Sequence, residues 1–293
     1  MANLKEIRNR ITSVSSTRQI TSAMKMVSAA KLRRAQDAIT QMRPYANKLK
    51  ELLGNLSDGT NDGDGSIYEE QREVKRVLLI PITSNRGLAG AFNANIIKQT
   101  SKIINEKYAD KDVTVLAIGK KADDFFKKTE YNIKGTTLPG KLDTIFDDLN
   151  FKRVSKVAGK IMRAFEFKQF DEVVIIYNEF VNAAVQNVNV EQMMPIVSNN
   201  VEESSVASDY IYEPSKEFIV EELIPKSIKL QLFKALLDSH ASEHGARMTA
   251  MHKATDNASE MINDLKLVYN KARQASITNE ILEIVGGAEA LNN

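Results

Sequence analysis

Two stretches, one at each end of the chain, are helical in pattern and too long for an ordinary domain. From Leu4 to about Leu56, and again from about Lys226 to Leu291, apolar residues recur at three- and four-residue steps with almost no strong breaker. Helices over those spans would run roughly 80 and 100 Å at 1.5 Å per residue, against about 40 Å for a globular domain. Segments of that length cannot fold back into a small core. They predict a long antiparallel coiled coil formed by the N- and C-terminal helices, projecting from whatever lies between them. Such an element braces or turns something else, so a mechanical role is expected ahead of an active site.

The 293 residues suit one domain plus an extension. Cys is absent, which excludes disulfides, thiolate metal sites and cysteine catalysis. The longest apolar run, Val77 to Ile82, falls far short of the ~20 residues that cross a membrane, and the opening MANLKEIRNR has no signal-peptide core. A soluble chain able to work beside a membrane is expected. The net charge of +2 hides an asymmetry, because residues 1–57 carry eleven Lys and Arg against Glu6, Asp37 and Glu51. That surplus favours acidic partners.

In the first helix Leu4, Ile7, Ile11 and Val14 define a seam that skips to Ile20, Met24 and Val27, then resumes through Leu32, Ala35, Ile39, Met42, Ala46, Leu49, Leu53 and Leu56. This reads as heptads with one phase break, and Pro44 predicts a bend. The Gly-rich SDGTNDGDGS, Ser57 to Ser66, marks a boundary. Beyond it, strands are expected at Arg76–Thr83, Val113–Ile118, Tyr131–Thr137 and Glu172–Phe180, the last paired with an alternating segment from Val185 to Glu191. Helices are expected at Ala91–Tyr108, Lys121–Lys128 and Asp143–Phe167. The expected fold is therefore an α/β globular domain with a mostly parallel, Rossmann-like sheet over 72–213, flanked by coiled-coil helices at 1–57 and 214–293. In the last helix the seam runs Ala241, His244, Met248, Met251, Thr255, Ala258, Ile262, Leu265, Tyr269 and Ala272.

Candidate chemistry is thin. His240 and His244 stand one turn apart, but HEXXH spacing is missing and no third ligand is evident, so a packed or surface role is favoured over metal. Asp58 to Glu69 partly fits a calcium loop, with Thr60 and Gly65 off-pattern; a solvated linker explains it more simply. Gly87 and Gly90 follow the first strand without GxGxxG or GxxxxGK[ST], and tight strand-to-helix packing accounts for them. No nucleophile elbow supports Ser/His/Asp catalysis, and a basic heptad helix without interleaved aromatics argues against nucleic acid. No cofactor or metal is expected.

ITNEILEIVGGAEA, Ile277 to Ala290, resembles the C-terminal signature of the gamma subunits of F-type ATP synthases, through Ile277, Thr278, Glu280, Glu283, Gly287 and Ala288. The resemblance continues through ITSAMKMVSAAKLRRAQ (Ile20 to Gln36), RPYA (Arg43 to Ala46), RGLAGAFN (Arg86 to Asn93), ARMTAMHKATDNA (Ala246 to Ala258) and LVYNKARQASIT (Leu267 to Thr278), in the family's order. It implies a non-catalytic rotor shaft of a membrane-associated synthase, with alpha and beta subunits around one end and the epsilon subunit and c-subunit ring at the other. It implies a peripheral position on the cytoplasmic face of the bacterial inner membrane.

The same resemblance marks Met24, Arg247, Gln274 and Thr278 as coupling positions. For Met24, spacing alone also supports a plain seam residue, and Arg247, beside a seam position, is expected to face a partner. Lys25, Lys31, Arg33 and Arg34 would meet acidic loops of beta. Glu280, Ile281, Ile284 and Val285 would form a slim tip with Gly286 and Gly287, a pair that costs about 1 kcal/mol each against Ala in a helix. Asn85 departs from the Asp usual before Arg-Gly-Leu, and the absence of Cys excludes the thiol control of the chloroplast branch. The competing readings are a coiled-coil scaffold and a nucleotide-binding α/β enzyme with helical arms.

Overall fold

The computed structural model of the chain describes residues 4–57, 66–133, 138–196 and 216–291. Element order is α1 (Leu4–Ser57), β1 (Arg76–Pro81), α2 (Phe92–Glu106), β2 (Asp112–Val115), α3 (Lys120–Phe126), a 3-10 turn (Asp143–Phe146), α4 (Phe151–Glu166), β3 (Glu172–Phe180), β4 (Gln186–Met194) and α5 (Lys216–Leu291). The chain divides into two compact units, one of Met1–Ser28 with Met248–Asn293 and one of Ala29–Arg247.

The larger unit is built on a four-stranded sheet in the order β2-β1-β3-β4. β1 is parallel to both β2 and β3, and β4 returns antiparallel to β3 as the hairpin pattern predicts. Alternation along β1 feeds both faces. Leu78, Ile80 and Ile82 join one core with Val154, Ala158, Ile161 and Phe165 of α4 and Ile224, Ile228, Leu232 and Leu236 of α5. Val77 and Leu79 join another with Ile96 and Ile104 of α2 and Phe126 of α3. A sheet covered on both faces needs continuous apolar strands, which is why β1 reads as an unbroken run.

Three sequence expectations change here. The strand expected at Tyr131–Thr137 is reduced to a single bridge between Asn132 and Val115, and 134–137 lie outside the described residues. The helix expected from Asp143 to Phe167 is two pieces, because the Asn150 side chain accepts from Arg153 N at 2.9 Å and starts α4 afresh. α5 begins at Lys216, upstream of the expected start, and carries Pro225 inside it as α1 carries Pro44.

The smaller unit pairs the start of α1 with the end of α5. Arg8 Nη2 meets Tyr269 Oη at 2.7 Å, Thr21 Oγ1 lies 2.9 Å from Thr255 Oγ1, and Lys25 Nζ lies 3.3 Å from His252 Nδ1. The α5 partner falls from 269 to 252 as α1 advances, so the helices run antiparallel. The expected phase break is absent. Thr21 and Ser28 are buried while Ile20 and Val27 are 60% and 56% exposed. Ile7, Val14, Thr21, Ser28, Ala35, Met42 and Leu49 keep a seven-residue step throughout. Polar seam residues disguised it, and both hydroxyls are satisfied locally, Thr21 by Arg18 O and Ser28 by Met24 O at 2.8 Å.

Candidate coupling surface

The expected site residues fall into three groups. Lys31, Arg33 and Arg34 are exposed on α1, while Met24 and Lys25 are half-buried beside the seam, Lys25 engaged with His252. At the far end of α5 every residue from 277 to 288 is exposed, including Ile281 (54%), Ile284 (72%) and Val285 (50%). Gln274, Thr278 and Glu280 share that exposed segment, where Thr278 Oγ1 donates to Gln274 O at 2.9 Å and Ser276 Oγ approaches Glu280 at 3.4 Å. A Cβ on Gly286 or Gly287 would meet nothing within 4 Å among the described residues, so none of these neighbours demands the glycines, which keep the helix thin.

Arg247 differs from expectation. It is buried and faces its own chain, with Nη1 on Glu243 Oε1 at 2.6 Å and Nη2 on the carbonyls of Arg86 and Gly87 at 3.2 and 3.3 Å. The missed signal was the i,i+4 spacing of Glu243 and Arg247. Burial raises the Glu243 carboxyl above the ordinary carboxylate range, and the Arg247 charge only partly opposes it.

The loop Arg247 holds is tied at several points. Ser84 Oγ donates to Arg86 O at 2.6 Å, and Ser84 N donates to Asn93 Oδ1 at 2.9 Å. Asn85 donates to Asp143 O at 2.6 Å and accepts from Lys120 N at 3.0 Å. An aspartate there could accept but not donate, so the departure to Asn serves a bond of its own. Gly87 and Gly90 are not forced by close packing as expected, since a Cβ would meet Lys121 Cε at 4.0 Å and nothing, respectively. Gly90 is needed for its φ of +57°, and Leu88 beside it is left-handed at φ 61° and 65% exposed.

The two helix histidines form a packed pair. His240 stacks on Phe146, and its Nε2 lies 3.1 Å from His244 Nε2. His244 Nδ1 is buried without a hydrogen-bond partner among the described residues. An unpartnered N–H is the rarer buried group, so the arrangement favours the tautomer in which His244 Nε2 carries the proton toward His240. Among the described residues no group of three or more His, Cys, Asp or Glu is placed to hold a metal ion. Of the calcium-like loop, Asp58 to Gly65 lie outside the described residues, and Glu69 accepts from Ser66 N at 3.2 Å.

Burial, then the nearby positive charges of Lys31 and Arg247, lowers His240 to about 4. Burial, then His240 and the same cations, lowers His244 to about 3. Both rings stay neutral in the fold while an unfolded chain protonates them near 6.5. Their contribution is therefore present above pH 6.5 and is lost as pH falls toward 4 and below. Asp238, raised by burial to about 6, and Glu243, also raised by burial, run the other way as pH falls. The histidine share is therefore read by difference: between pH 6.5 and 4.5 the urea midpoint of His240→Asn with His244→Gln falls less, or rises more, than that of the parent chain. The same pH dependence in both chains excludes the assignment.

With the geometry described, the comparisons fix the class. The ATP synthase family matches residues 3–291. A chain from the rotor of the Euglena gracilis mitochondrial ATP synthase shares the fold at a TM-score of 0.66 and 22% identity, over 94% of this chain and 98% of that one. The ATP synthase gamma chain of Flavobacterium johnsoniae is 62% identical over 292 residues, and that of Christiangramia forsetii 60%, each covering 100% of both chains. The chain belongs to the ATP synthase gamma chain family.

Proposed function

We propose that the chain is the non-catalytic central-stalk subunit of an F-type ATP synthase, carrying ion-driven rotation to a ring of alpha and beta subunits. Its effect there is a coupling free energy: contact with an asymmetric shaft makes chemically identical ATP sites inequivalent. Alongside the family membership, the exposed segment Ile277–Val285 carries the reading. Five large apolar side chains there (Ile277, Ile281, Leu282, Ile284 and Val285) are 48–72% exposed. An apolar surface of this extent calls for a partner sleeve.

On this reading α1 and the end of α5 work as an antiparallel coiled coil, and the functional division is 1–57, 72–213 and 214–293. The sheet region acts as a reduced Rossmann-like domain, a view supported by the parallel β2-β1-β3 order with helices on both faces. Met24, Lys25, Lys31, Arg33 and Arg34, with Gln274, Thr278, Glu280, Ile281, Ile284 and Val285, make the contact with alpha and beta, the basic ones toward acidic loops. Arg247 takes part indirectly, by holding the loop at Arg86 and Gly87. The epsilon subunit and the c ring bind the other end. No helix among the described residues is long and apolar enough to cross a membrane, which fits a peripheral place on the cytoplasmic face of the bacterial inner membrane.

The test is truncation before Ile277 in a complex reassembled with alpha and beta. ATP hydrolysis coupled to rotation should fall about ten-fold or more, while the unfolding free energy of the sheet unit in urea changes by less than about 1 kcal/mol, the segment being exposed. Unfolding of the sheet unit on truncation, or unchanged coupling, would sink the assignment.

A further inference from the structure

α4 presents a cationic face that no acidic side chain among the described residues answers. The helix holds Lys152, Arg153, Lys156, Lys160 and Arg163 against one acid, Glu166. Its apolar side is spent on the sheet through Val154, Ala158, Ile161 and Phe165, all fully buried. Lys152, Lys156, Lys160 and Arg163 recur at steps of four, four and three, and so share the opposite, exposed face. Among the described residues none of the four forms an ion pair, and Glu166 is taken by the Tyr68 hydroxyl. Phe167 follows the helix at 74% exposure, whereas Phe151 at its start packs edge-to-face on Phe233, ring centroids 5.7 Å apart. Lys168 then closes the helix in the left-handed region at φ 54°, with its N–H on Phe165 O and Gln169 N on Ala164 O, which turns Phe167 outward and adds one more cation.

We propose that this face rests on the anionic headgroups of a lipid bilayer. A row of cations about 16 Å long, with the exposed Phe167 ring beyond it, matches a headgroup layer, with charges at the phosphates and the ring at the acyl boundary. The lack of fixed ion partners among the described residues suits diffuse attraction better than a stereospecific socket. The proposal rests on the rotor reading in one respect. The surroundings of a rotor change as it turns, and a membrane surface is an anionic partner that stays the same at every angle.

The experiment sediments the full chain with vesicles of phosphatidylcholine alone and with about 30% phosphatidylglycerol at about 0.1 M salt. The parent chain should bind only the anionic vesicles. K152Q/K156Q/K160Q/R163Q should weaken that binding at least about ten-fold, since each cation near a charged surface is worth up to about a five-fold factor. Phe167→Ser should weaken it by a smaller factor. Lys98→Gln with Lys102→Gln, exposed on α2 over the other face of the sheet, should leave it within about two-fold. Circular dichroism of all variants should match the parent. Anionic binding that the four substitutions leave intact, or that the α2 pair abolishes equally, overturns the proposal. So does loss of a defined acidic subunit from the purified complex with vesicle binding unchanged, which would make the face a protein interface. Assembly of an ATPase with alpha and beta is measured in parallel: failure there strikes the rotor reading, whereas failure at the vesicles strikes this proposal alone.

Discussion

Glu243→Ala lowers the stability of the sheet unit by on the order of 3 kcal/mol, the range expected when one half of a buried ion pair is removed. The substitution leaves the Arg247 guanidinium buried with only the carbonyls of Arg86 and Gly87 to hold it. Those carbonyls are dipoles, not charges, so they offset part of the loss and keep it at the lower end. The raised Glu243 carboxyl shows that burial outweighs the attraction of Arg247. The intact pair is therefore a poor net stabiliser but an expensive one to halve. Replacing both partners by Met should recover most of the loss, which urea unfolding of the single and double variants will measure. Hydrogen exchange at Gly87 and Leu88 should quicken in the single variant. If Glu243→Ala costs less than about 1 kcal/mol, Arg247 is not held as described.

Gly119→Ala is expected to be the more damaging change, at about 4 kcal/mol or more, through overpacking combined with backbone strain. Gly119 sits at φ 95° and ψ 145°, a region open essentially to glycine alone. A Cβ there would lie 2.0 Å from Thr83 O. That carbonyl cannot retreat cheaply, because Thr83 N donates to Ile118 O at 2.8 Å and Thr83 Oγ1 accepts from Ala122 N at 2.9 Å. Gly90→Ala is the matched control: it shares a positive φ but meets no atom within 4 Å, so it should cost only about 1–2 kcal/mol. Equal urea midpoints for the two variants would show that the close approach to Thr83 is not what demands glycine at 119.

Legibility in the sequence followed the range of the interactions. β1, β3 and the β3–β4 hairpin were readable because burial on both faces, or on one, writes itself into consecutive side chains. The strand at Tyr131–Thr137 was not, because bridging at Asn132 depends on what lies beside β2, and no local pattern records that. The helix seam was misread between Ile20 and Val27, where apolarity points away from the buried face and hydroxyls point into it. Hydrophobicity is a proxy for burial, and it fails where Thr21 and Ser28 meet their hydrogen bonds within one turn. Arg247 was misplaced for a related reason. A lone Arg next to a seam reads as exposed, and only the fold brings Glu243 and the Arg86–Gly87 carbonyls around it.

By itself the sequence determined the two long helices, the double-sided sheet and the family signature at Ile277 to Ala290. All of these are carried by spacing within one element, where 3.6- and 2-residue periods convert position into direction. Tertiary structure alone decided which polar groups are buried, which glycines are obligatory, and that Arg247 serves a loop 160 residues away in the chain. Those are matters of which surfaces meet, and chain-distant surfaces meet only once the sheet and helices have packed.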